Sequence, residues 1–308
     1  MEKRKQVSHS IMLAMAAFIW GIAFVAQSTG GDALGPYAFN GIRNLIATLV
    51  VLFMIFVRDK MGIGVKPNNA EEKKTLWKTG ILCGTALFVA STFQQVGINM
   101  GTPVGKAGFL TATYIVIVPI VGLFFKKHCG WNVFVGAVLM LIGIYLLSIK
   151  EDFSIGFSDG LILICAICFT VQIMMIDLLV KAQDPVRVAC IQFLTTGILS
   201  MPFAFIFDMH GFSGLANWSV CLTSKEAWFS LLFAAVFSSG VAYTFQMVGQ
   251  QGVNPALASM LMSMESMFSV LAGWVILREV LTVKELTGCG IMFVAVILAQ
   301  LPLSKEKV

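Results

Sequence analysis

Four ionisable side chains stand inside otherwise apolar stretches of this chain: Arg43, Lys106, Asp177 and Glu265. A charge at membrane depth costs at least about 2 kcal/mol and normally faces a partner or a wet cavity, so each is a candidate for binding a solute. Glu265 lies ten residues beyond Pro255, about 15 Å along a helix, which sets it near the middle of its run. It could hold a cation, exchange a proton with solvent as a cavity opens and closes, or hydrogen-bond to Ser, Gln or Tyr of neighbouring helices. Arg43 is seven residues past Pro36, about 10 Å deep, where it could grip a carboxylate or phosphate or clamp backbone carbonyls between helices. Lys106 begins its run three residues past Pro103, and its stem is long enough to reach headgroups. Asp177 sits near the end of its own run and reads as interfacial.

Uncharged polar residues widen the candidate set. Gln94, Gln172, Gln192 and Gln246 lie in mid-run regions, and an amide in hydrocarbon must find another helix or a wet cavity. Tyr114 and Tyr243 add hydroxyls, and Trp20 with Phe24 could form an aromatic floor. No P-loop, H-E-x-x-H or G-x-S-x-G is present, so nucleotide, metal or serine hydrolase chemistry has no visible home and an enzyme is not expected. Cys165 and Cys168 make a lone C-x-x-C, while His9, His128 and His210 lie elsewhere at run edges. Seven cysteines in apolar surroundings read as packing residues, and neither a metal nor a cofactor is expected.

The solvent around these residues follows from composition. Of 308 residues 58% are hydrophobic and only 12% charged, about half the charged share of a soluble domain. Ten apolar runs stand near 11–28, 36–57, 77–97, 104–125, 131–149, 158–180, 186–207, 227–247, 255–277 and 284–302. They are continuous rather than alternating, which predicts ten transmembrane helices in an all-α integral membrane protein. The basic start followed by an apolar run is too long for a cleaved signal and reads as an uncleaved first helix. The longest loop, about Arg58 to Trp77, reads as a solvated cytoplasmic connector. With the N-terminus inside, fifteen Lys and Arg fall on the cytoplasmic side and four, Lys150, Lys225, Arg278 and Lys284, outside. That asymmetry predicts a multi-pass plasma-membrane protein with both termini cytoplasmic. The net charge of +5 is therefore a topology signal, with membrane lipid and a small molecule as the expected partners, no nucleic acid, and room for a homodimer.

The chain also contains one stretch twice. Phe93-Gln94-Gln95-Val96-Gly97 followed by Pro103 returns as Phe245-Gln246-Met247-Val248-Gly249 followed by Pro255, at a constant offset of 152 that still holds for Gly136 and Gly288. Upstream the offset is 149, pairing Trp20 with Phe169, Pro36 with Pro185 and Arg43 with Gln192. Two halves follow, 11–149 and 158–302, and five spans in each is an odd number, so the copies are inverted. Inverted repeats characterise carriers that hold a solute between alternately opening halves; a channel or facilitator is the alternative. Lys106 and Thr113 lie on one helical face, and their mates are Ala258 and Glu265. Opposite charges on equivalent faces would suit a zwitterion such as an amino acid, or would pair with each other.

The residues also carry a family resemblance. Trp20-Gly21, Arg43, Gly108-Phe109-Leu110-Thr111 with Val118-Pro119, and above all Met264-Glu265-Ser266 followed by Leu277-Arg278-Glu279-Val280-Leu281-Thr282 and Gly288 resemble the EamA family of the drug/metabolite transporter superfamily. Ser266 and Arg278 stand where that family usually has proline and glycine, the first predicting a less kinked ninth helix. The resemblance covers about 11–302. It implies a basket of helices, a central cavity lined by spans one to four and six to nine, spans five and ten at the periphery, and a carrier, since many members export. The expected cargo is an amino acid or related small polar metabolite, with phosphorylated or nucleotide-linked sugars as the alternative.

Overall fold

The computed structural model describes residues 2–127, 129–148, 155–181, 183–277 and 282–301. His128, Lys150, Arg278 to Leu281, Lys305 and Lys307 lie outside the described residues, as do the ends assigned to the two halves at 149 and 302. Within them the secondary structure is helical, without a β-strand.

The first half comprises α1 (Glu2–Leu34), α2 (Pro36–Lys60), α3 (Ala70–Asn99), α4 (Val104–Ala112), α5 (Tyr114–Phe124) and α6 (Trp131–Ser148). The second comprises α7 (Phe157–Leu179), α8 (Pro185–Phe203), α9 (Gly211–Ser219), α10 (Lys225–Phe233), α11 (Thr244–Gly249), α12 (Pro255–Met262), α13 (Glu265–Leu277) and α14 (Val283–Gln300). Eight helical stretches among the described residues are long and apolar enough to span a membrane, and Trp131–Leu147 is a shorter apolar helix. The run expected over 255–277 is helical in two pieces, α12 and α13.

Local chemistry sets the boundaries. Pro36 and Pro185 each open a helix at its first turn, where the missing N–H is no loss. Asn69 accepts from the Glu72 N–H at 2.8 Å, starting α3 at Ala70, well before the apolar run does. The connector is therefore residues 61–69, shorter than the expected loop, because capping extends the helix into solvent. Between α8 and α10 the chain forms a short helix, α9, that has no counterpart among the ten runs.

Two long helices are broken at their centres. α4 gives way to α5 at Thr113, whose Oγ1 donates to the Leu110 carbonyl at 2.6 Å, and the Val116 N–H bonds back to Thr113 at 3.1 Å. α12 gives way to α13 at Ser263 and Met264, where Ser263 Oγ donates to the Ser259 carbonyl at 2.9 Å and the Ser266 N–H reaches Ser263 at 3.3 Å. Hydroxyls that compete for carbonyls and tightened i→i−3 bonds interrupt the regular ladder. The ninth span is thus interrupted at a site without a proline. The eighth run carries a different irregularity, a π-helical stretch over Ala234–Tyr243 between α10 and α11.

The packing is two-fold in pattern. α2 packs on its mate α8, and α6 on its mate α14; α3 packs on α7 and α8, just as the α10-to-α11 stretch packs on α1 and α2. Exchanging the halves therefore maps neighbours onto neighbours. Glycines allow the closest approaches: a Cβ on Gly84 would lie 2.7 Å from the Gln192 carbonyl, so the G-x-x-x-G of Gly80 and Gly84 does mark close helix contact.

Candidate functional site

A cavity lies between the halves. α1 contributes Trp20, Phe24 and Gln27; α3 contributes Gln94; α4 and α5 contribute Thr111 and Tyr114 on either side of their break. From the second half come Phe169 and Ile173 of α7, Ser238 and Tyr243 of the π-helical stretch, Gln246 of α11, and Met262 and Glu265 flanking the other break. Its volume, about 40 Å³, would hold roughly three waters. Both breaks and the π stretch border it, as expected where irregular backbone is tolerated only against protein or a cavity.

Seven expected residues line this space: Glu265, Gln94, Gln246, Trp20, Phe24, Tyr114 and Tyr243. Glu265 is only 6% exposed, and among the described residues its carboxylate has neither a hydrogen-bond donor nor an ion-pair partner. Tyr114 and Tyr243 both lie within electrostatic range of it. The Trp20 ring meets Tyr243 edge-on at 4.8 Å, and its Nε1–H donates to the Ser238 carbonyl at 3.1 Å. Gln94 Nε2 donates to Thr111 Oγ1 at 3.2 Å. Gln246 Nε2 donates to Gln172 Oε1 at 3.2 Å, and Gln172 Nε2 points on to Gln192 Oε1 at 3.4 Å. The repeat mates Gln94 and Gln246 thus share a position but not a partner.

The other four candidates stand off the cavity wall. Gln172 and Gln192, both fully buried, form the outer links of the amide chain. Arg43 is buried behind the wall, with Nε donating to Asn40 Oδ1 at 3.1 Å, its guanidinium 5.5 Å from the Phe39 ring centroid and Nη1 without a hydrogen-bond partner. Lys106 is paired with Asp159, whose other oxygen accepts from Thr102 Oγ1 at 3.1 Å. The alternative in which Lys106 neutralises Glu265 is thereby overturned: its partner is Asp159, at the start of α7. Asp177, near the end of α7, is buried and is held by Lys127 at 2.7 Å and Lys181 at 3.2 Å.

The second and seventh spans, α2 and α8, expected in the lining, contribute none of these side chains. They pack on each other instead, and Gly197 of α8 meets Leu45 of α2. Sequence reasoning missed Gln27, Thr111, Ser238, Phe169, Ile173 and Met262. Gln27 and Thr111 have a signal in hindsight, being polar residues on the same runs as Trp20 and Tyr114; single hydroxyls and aliphatic residues have none.

A bundle of apolar helices of spanning length enclosing a cavity defines a multi-pass membrane protein. The chain belongs to the EamA-like transporter family, whose profile matches residues 8–149 and again 156–301. It is 32% identical to an "Uncharacterized transporter" of Archaeoglobus fulgidus, covering 96% of this chain and 87% of that one. It is 23% identical to "Uncharacterized transporter YoaV" of Bacillus subtilis, covering 94% and 96%, and 22% identical to "WAT1-related protein At3g02690, chloroplastic" of Arabidopsis thaliana, covering 92% and 67%. A crystal structure superposes with a TM-score of 0.77 over 96% of both chains at 16% identity, which is a likeness of fold. The general role that goes with this family and these relatives is transmembrane transport rather than catalysis.

Proposed function

We propose that the chain is a secondary carrier of the plasma membrane that exports amino acids or related small polar metabolites by alternating access, with both termini cytoplasmic. The observation that carries this reading is Glu265: a buried carboxylate with no partner among the described residues, at the break of α12 and α13, on the wall of a cavity shared by both halves. A binding group at a helix interruption between inverted repeats suits a solute that must be released to either side. The outward direction rests on the family resemblance, and the inside position of the termini on the fifteen-to-four distribution of Lys and Arg. Neither Arg43 nor Lys106 lines the cavity, so phosphorylated sugars would meet no cation there, and cargo with an amine is favoured.

Purified protein in liposomes tests the reading. Saturable flux of a labelled amino acid, with counterflow when unlabelled solute is trapped on the far side, is expected; unsaturable single-channel current would sink it in favour of a channel. Glu265→Gln in the same assay should lose solute-dependent flux, and flux that survives unchanged would make Glu265 structural.

A further inference from the structure

The hydrogen bonds around the cavity have a direction. Trp20 spends its N–H on Ser238, Gln94 its amide N–H on Thr111, and Gln246 its amide N–H on Gln172. Among the described residues lining the cavity, two amide oxygens are left over. Gln246 Oε1 and Gln27 Oε1 are buried without a donor, the two residues being 2% and 7% exposed, and Glu265 adds a carboxylate. The amide chain runs one way: Gln172 receives from Gln246 and donates onward to Gln192, which leaves Gln246 Oε1 as its unpaired acceptor. The hydroxyls of Thr111, Tyr114, Ser238 and Tyr243 can serve either way, and among the described residues no lining side chain is a cation.

We infer that the cavity recognises its cargo by a protonated amine bearing N–H groups, held by the Glu265 carboxylate and the orphaned oxygens of Gln27 and Gln246, and that a carboxylate on the cargo is not required. Resting on the carrier reading above, this specifies which end of the solute is bound. An ammonium supplies both the missing charge and the missing donors; a buried acceptor left without a donor is costly, so the complementary ligand gains on each contact. The aromatic wall of Trp20, Phe24, Tyr114, Phe169 and Tyr243 suits the same cation, because ring faces attract positive charge. An anionic ligand would instead bring its charge against Glu265 with nothing to offset it.

Four solutes on one carbon skeleton separate the possibilities by thermal shift of the purified full-length protein: isobutylamine, valine, 3-methylbutanoate and trimethylisobutylammonium. Isobutylamine and valine should raise the unfolding midpoint at comparable concentrations, and 3-methylbutanoate should not. The quaternary ion, a cation without N–H, forfeits every one of the ammonium's hydrogen bonds and should need at least about a hundredfold more. Glu265→Gln should abolish the isobutylamine response. Gln27→Leu, which leaves the charge in place, should weaken it about tenfold and serves if the first variant does not fold. A shift by 3-methylbutanoate equal to that by the amine, an amine response intact in both variants, or no response to any amine overturns the inference. The carrier reading stands or falls separately, on saturable counterflow in liposomes.

Discussion

Asp59, at the end of α2, pairs with Arg187 near the start of α8, and the same relationship recurs at the other end of the two helices. At an offset of 149, Asp208 is the mate of Asp59 and Ala38 the mate of Arg187, and the Asp208 carboxylate accepts from the Ala38 N–H at 2.6 Å. One contact is ionic, reinforced by Arg58 on Asp184 at 3.0 Å and Lys66 on Asp59 at 3.4 Å; the other caps a helix. The two ends have kept the geometry and changed the chemistry.

That difference predicts opposite responses to salt. Arg187→Glu should lower the thermal midpoint in detergent at low ionic strength, the deficit shrinking as salt is added, and the swap Asp59→Arg with Arg187→Asp should recover most of it. Asp208→Ala should cost about 1 kcal/mol, as for a lost helix cap, and the loss should not depend on salt. Equal salt dependence at the two ends would remove the distinction.

Asp159 carries three donors: Lys106, Thr102 Oγ1 at 3.1 Å and the Gly156 N–H at 2.8 Å. The last belongs to the cap of α7, so Asp159→Ala should destabilise the protein more than Lys106→Met, which leaves two donors in place. The expected loss for Asp159→Ala is about 2–3 kcal/mol, the sum of a cap and a charge-assisted bond. Thermal unfolding of both variants in the same detergent checks the order; a larger loss in Lys106→Met would mean that the ion pair outweighs the cap.

Much of this was legible because charge is rare in the chain. A lone glutamate deep in an apolar run stands out, and the repeat offset lifted Gln94 and Gln246 from the many amides of the sequence. Partnership was not legible: Asp159 is 53 residues from Lys106, and no periodicity within a run connects them. The helix breaks were also hidden, since Thr113 and Ser263 are residues that a regular helix tolerates. What marks the interruptions is the backbone, where the N–H groups of Val116 and Ser266 bond back only three residues. Even so, Thr113 and Glu265 are repeat mates, and both stand at a break.

The α6–α14 contact depends on two glycines facing each other. A Cβ on Gly288 would lie 2.7 Å from the Gly143 carbonyl oxygen, and one on Gly143 would lie 2.9 Å from that of Gly288. Backbone atoms cannot step aside as a side chain can, so Gly288→Val should cost about 1–3 kcal/mol through overpacking. Gly290→Val, on the same helix with open space around it, is the control and should be near neutral. Equal midpoints for the two variants would show that the helices separate without penalty.

Gln172 never touches the cavity, yet it decides which atom Gln246 presents there. Its Oε1 takes the Gln246 N–H; without that acceptor the Gln246 amide is free to rotate and offer N–H instead. Gln172→Met keeps the length and removes the acceptor. The amine response should weaken about tenfold, one hydrogen bond's worth, while the response to 3-methylbutanoate rises, so that the preference for amine over carboxylate contracts. A merely structural role would lower both responses together and leave their ratio unchanged. The ratio, measured by thermal shift against the same pair of solutes, is therefore the quantity that identifies Gln172 as a positioning residue.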